Sequence, residues 1–150
     1  MTEVYFYHLQ QRPLEGVLPN LLERALERGW RVVVQAASDE RVEALDAHLW
    51  TYQPNGFLPH GTWRESEAAA QPVLLTVHDH NPNSANVRFL IDGVALPDDA
   101  ASYQRVVLLF DGDDPDAVAQ ARTRWSDAKA AGHEVTYWQP DEHGRWQRKG

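Results

Sequence analysis

The sequence has no cysteine among its 150 residues. Disulfide frameworks, thiolate metal sites and cysteine nucleophiles are therefore excluded. No apolar run approaches the ~20 residues of a membrane span. The N-terminus, MTEVYFYHLQ, lacks the basic-then-apolar layout of a signal peptide. Positive charge is scarce: 14 Lys and Arg stand against 22 Asp and Glu, a net of −8. That balance argues against direct binding of duplex DNA by the surface as a whole, and it predicts no gel shift on single strands at physiological salt. Glycine fingerprints are missing too. No GxGxxG follows the first apolar segment, no GxxxxGK[ST] occurs anywhere, and HLQQRPLEG cannot form a glycine cradle. Neither a dinucleotide site, a P-loop nor any other cofactor is expected. These absences describe a cytoplasmic domain.

What remains is enough for a core. Apolar residues make up 43 %, and a chain of this size buries roughly two thirds of its unfolded surface. No internal repeat or low-complexity tract divides residues 1–150, so one domain is expected, with 140–150 as a polar, frayed tail. Six tryptophans are a rich complement, and indoles often anchor contact surfaces.

Residues 3–9 (EVYFYHL) read as a strand. Leu18, Leu21, Leu22 and Leu26 then recur at helical spacing, and Gly29 is a natural stop. Pro19 is expected near the start of that helix, because a mid-helix proline costs about 3 kcal/mol. The run RVVVQAA (31–37) suits a strand covered on both faces. Ser38 reads as the cap of a second helix whose buried stripe is Val42, Leu45 and Leu49. Residues 51–72, rich in Pro and Gly, read as a long loop. Strands follow at 73–78, 86–93 and 105–110. A helix over 115–131 is capped by Asp114 and closed by Gly132, and a last strand spans 134–139. This order predicts an α/β protein, three-layer and Rossmann-like. Its sheet is mostly parallel with helices on both faces and carries no nucleotide-binding fingerprint.

Two clusters invite a metal. His78 and His80 flank Asp79, with His60 or Asp111 as further candidates, and Asp111, Asp113 and Asp114 follow a buried strand where open α/β sheets often hold ligands. Either could serve a metal-dependent hydrolase or nuclease. The plainer alternative is solvated turn histidines and aspartates that end a strand and cap a helix. No serine has an evident base partner.

The last third is different in charge. Residues 1–115 hold 8 basic and 17 acidic side chains, whereas 116–150 hold 6 and 5. Arg122, Trp125 and Lys129 are spaced i, i+3, i+7 and lie within about 60° of one another on a helix. Val118, Ala121, Trp125 and Ala128 form the adjacent apolar stripe. The pattern admits an apolar socket with a cationic rim, or an ordinary amphipathic helix with solvated charges.

The segment GWRVVVQAASDERVEALDAHLWTYQPNGFLPHG (29–61) resembles the chi subunit family of bacterial DNA polymerase III holoenzyme. GxRVxV, LDxxLW and FLPHG stand in the family's order, and VYFYHL, QPVLLT, RVVLLFDG and ARxRWxxxKAAG also fit, so the likeness covers nearly the whole chain. The resemblance implies a Rossmann-like fold without a nucleotide site and without a catalytic site. It implies an accessory subunit that ties the clamp-loader complex to single-stranded-DNA-binding protein, through that protein's acidic, Phe-terminated C-terminal tail. It also implies pairing with a psi subunit. On this resemblance the tail-binding residues are Arg122 and Trp125, with Lys129 and Arg124 adding positive charge. Trp50 and Phe57 match partner-subunit positions. Val118 replaces a family lysine, which thins the rim. Tyr137 stands where a smaller residue can occur, and the tail beyond Trp138 is longer than the family pattern.

Overall fold

A computed structural model describes residues 2–53 and 58–149. The elements in chain order are β1 (Glu3–Leu9), α1 (Leu14–Glu27), β2 (Val32–Gln35), α2 (Asp39–Thr51), β3 (Gly61–Thr62), β4 (Val73–Thr76), β5 (Val87–Leu90), β6 (Arg105–Asp111), α3 (Pro115–Ala130), β7 (Glu134–Pro140) and β8 (Trp146–Arg148). The strands form one sheet in the order β3-β4-β2-β5-β6-β1-β7-β8, parallel throughout except for β8. This is the expected three-layer α/β architecture.

Strand alternation divides the core into two. Val32 and Val34 pack under α1 and α2 with Leu18, Leu22, Leu45 and Leu49. Val33 faces the opposite side, with Val4, Phe6, Val106, Leu108 and Ala128 of α3. β2 lies between β4 and β5 and is buried on both faces, which is why its sequence is an unbroken apolar run.

Ser38 caps α2 as expected, its side chain accepting from the Arg41 backbone N–H. The long loop, by contrast, contains the edge strand β3 and a 3-10 turn at Ala68–Ala70. Two-residue strands carry no periodicity to read.

One expectation is corrected. Pro19 is not at the start of α1: the helix begins at Leu14, and Pro19 is buried within it. Its ring leaves the carbonyl of Glu15 without the usual N–H partner. The Nε2 of His48, from α2, occupies that carbonyl at 2.7 Å. Within the expected polar tail, residues 141–148 form a turn and a short strand. Asp141 Oδ1 accepts from the backbone N–H groups of His143 and Arg145, and Gly144 supplies the turn's positive φ of 78°. The chain thus returns as β8, antiparallel to β7.

Candidate functional site

The last helix starts cleanly. The Asp114 carboxylate accepts from the Asp116 N–H at 3.0 Å, and Pro115 needs no N–H in the first turn. Ala121 and Ala128 are the buried residues of α3. Their small side chains let the helix lie close to the sheet. Between them, the indole of Trp125 packs on Phe6 (5.3 Å between centroids) and edge-on to Tyr137 (5.9 Å).

Trp125 is therefore half-buried, with Arg122 and Lys129 exposed on either side of it. The Lys129 ammonium sits 5.1 Å from the indole centroid, a cation–π distance. Burial pushes the Tyr137 hydroxyl above its ordinary pKa, and the charge of Arg122 pulls it back. Arg122 thus lies within electrostatic reach of the same aromatic cluster. The structure brings Arg122, Trp125 and Lys129 to one side of α3.

Arg124 does not join them. It lies 100° round the helix from Trp125, and its Nη2 donates to the Gly93 carbonyl at 3.1 Å. Its guanidinium lines a different hollow. Arg124 is expected to add charge beside Arg122, and the structure places it apart from that residue.

His8 and Phe110 support the cluster from below. His8 Nδ1 is hydrogen-bonded to the Tyr137 hydroxyl, and its ring lies 5.1 Å from Phe110. A Cβ on Gly112 would run into His8 Nε2, so glycine is needed for this approach. Burial lowers the His8 pKa, while Asp113 and Asp111 act the other way. These residues escaped the sequence reading. Strand alternation places Phe6 and His8 on one face, but only the β1–β7 pairing puts that face beside Tyr137.

A cavity of about 700 Å³ lies elsewhere, at the carboxyl ends of β1, β5 and β6, with Arg12, Arg41, Arg124, Asp111, Asp113 and Asp116 in its wall. Its charges are largely committed. Arg41 pairs with Glu15 at 2.6 Å and with Asp92 at 3.4 Å, and Asp111 accepts from the Asp113 N–H.

The candidate metal ligands have other duties. Among the described residues, no three His, Cys, Asp or Glu side chains group to hold a metal. His60 is buried, with Nδ1 against the Leu58 carbonyl and Nε2 against the Asp46 carbonyl. His80 Nε2 bonds Thr76 Oγ1, and His78 stands edge-on to Trp63. Their loop is pinned by Arg88, which is 0 % exposed. Arg88 donates to the carbonyls of His78 and His80, to Gln35 Oε1 and to the Tyr103 hydroxyl. The turn residues are held by a buried staple.

Trp50, at the end of α2, is 54 % exposed, with its ring 4.6 Å from that of His60. Phe57 lies outside the described residues.

Comparison with known proteins decides the family. Residues 1–136 match the family of the DNA polymerase III chi subunit, HolC. The chain belongs to that family. Its members are described as the chi subunit of DNA polymerase III. A relative in Rickettsia prowazekii (strain Madrid E), named probable DNA polymerase III subunit chi, is 28 % identical over 106 residues. The likeness takes in 71 % of this chain and 62 % of the relative, so the chain spans less than two thirds of the length of the chi relative it matches. Among the described residues of this chi-family chain, no helix is long and apolar enough to cross a membrane.

Proposed function

We propose that this chi-family chain is a non-enzymatic cytoplasmic adaptor. It links the clamp-loader complex of DNA polymerase III to single-stranded-DNA-binding protein by holding that protein's acidic, Phe-terminated tail. The observation that carries the reading is the edge of α3, where Lys129 stands over a half-buried Trp125 and Arg122 stands one turn away.

The parts suit such a ligand. A terminal α-carboxylate is well matched by the forked guanidinium of Arg122. The phenyl ring packs against Trp125 at the margin of the Phe6–Tyr137 cluster. Upstream carboxylates gain from Lys129, while the acidic remainder of the surface repels them and helps to orient the tail. A contact of a few residues buries little area, so affinity is micromolar, and salt weakens it because the charges are at the rim. Trp50 offers a second surface, suited to a psi subunit or another clamp-loader component, with Phe57 as its family-matched companion.

Calorimetry with an acidic peptide ending in Phe tests the tail site. Arg122→Ala removes binding and leaves the melting temperature nearly unchanged. Unaltered affinity in that variant rejects the assignment.

A further inference from the structure

The family match ends at residue 136. Beyond it lie Trp138, Arg145 and Trp146, which with α1 form a groove of about 440 Å³ on the far side of the sheet from α3. One wall is α1, contributing Asn20 and Arg24, with Arg12 just ahead of the helix. The other is the β7–β8 hairpin, contributing Arg145 and the two indoles. Three of the lining residues are arginines, and none of the described lining residues is acidic. In a chain of net charge −8, that local excess is a marked departure from the rest of the surface.

The aromatic surface is continuous. Tyr7 stacks on Trp138 with 14° between the ring planes, and Trp146 meets Tyr7 edge-on at 4.9 Å. Both indoles are only partly buried, so planar groups entering the groove find aromatic surface to cover. Arg24 and Arg145 are exposed and stand on opposite walls, one on the helix and one on the hairpin.

From this pairing of indoles with exposed arginines, we infer that the α1–hairpin groove binds single-stranded nucleic acid, with bases against Trp138 and Trp146 and phosphates against Arg12, Arg24 and Arg145. Base–indole stacking is tolerant of sequence, and a positively charged groove tracks the backbone. The acidic remainder of the protein repels a stiff duplex, whose charge is dense along its whole length. A flexible single strand can confine its contacts to the groove. An acidic peptide would satisfy the arginines but brings fewer planar groups for two neighbouring indoles. The inference is independent of the tail site, which lies on the other face of the sheet.

The test is fluorescence anisotropy of a dye-labelled oligothymidine titrated with the full chain at low salt. Saturable binding is expected, accompanied by quenching of tryptophan fluorescence. With three phosphate contacts, the logarithm of the association constant falls with the logarithm of salt at a slope of about −2. The double variant Arg24→Glu/Arg145→Glu weakens binding at least tenfold, and Trp146→Phe reduces the quenching. Both arginines are exposed, so circular dichroism of the double variant matches the parent. Arg122→Ala binds the oligonucleotide as the parent does. Absence of saturable binding by the parent, or an unchanged affinity in the double variant, overturns the inference. So does equal affinity for a duplex of the same length. Loss of acidic-peptide binding in the double variant, with oligonucleotide binding intact, assigns the groove to a peptide and overturns it as well.

Discussion

His48 donates from Nε2 to the carbonyl of Glu15, an acceptor that lost its helical partner because Pro19 has no N–H. One helix thus repairs the other's interrupted ladder, and the contact locks α2 against α1. His48→Ala is expected to destabilise the fold by about 1–3 kcal/mol, the usual penalty for an unsatisfied buried polar group. Pro19→Ala in that background restores an N–H for Glu15 and recovers part of the loss. Urea denaturation of the two single variants and the double variant checks this; additive effects would contradict it.

Arg88 holds the 78–80 turn with every guanidinium nitrogen engaged. Arg88→Met leaves Gln35 and two carbonyls without donors inside the core. A loss of several kcal/mol is expected, since each buried acceptor left without a donor costs about 1–3 kcal/mol. Arg88→Lys recovers little, because one ammonium cannot span the same acceptors. Chemical denaturation measures both.

Acid should loosen the underside of the α3 edge. Burial lowers the pKa of His8 below the ordinary histidine value of 6.5, with Asp113 and Asp111 opposing. The unfolded chain therefore takes up this proton before the folded one does. Stability from neutral His8 is complete above pH 6.5 and declines as pH falls through the histidine range. A stability–pH profile in His8→Gln is expected to be flatter there. An unchanged profile would remove His8 from the account.

Glu15 gives a second, lower window. Burial raises its pKa, but its own backbone N–H and the Arg41 guanidinium outweigh that and hold it below the usual value of 4.5. Its contribution is present above that value and is lost as pH falls further. Glu15→Gln is expected to lessen the acid sensitivity below pH 4.5, read by thermal melts across pH.

Gly112 is required by its contact with His8. Gly112→Ala must displace the imidazole from Tyr137, at a cost of about 1–3 kcal/mol typical of overpacking. Loss of the ordered His8 ring signal by NMR, together with lower stability, is the expected pairing.

Much of this molecule is written locally. The Ser38 and Asp114 caps, the apolar run of β2 and the Val42, Leu45, Leu49 stripe are short-range patterns, and the chain realises them as read. The i, i+3, i+7 spacing likewise suffices to set Arg122, Trp125 and Lys129 on one side of α3. What the sequence could not decide is whatever depends on a distant partner. Pro19 stands inside a helix because His48 supplies the missing donor. Residues 146–148 become a strand because β1 already carries β7 at the sheet edge. Arg124 finds its partner in the Gly93 carbonyl, 31 residues away. Helical and strand periods are properties of a few consecutive residues, whereas a hydrogen-bond partner or a sheet neighbour is chosen only when remote segments meet.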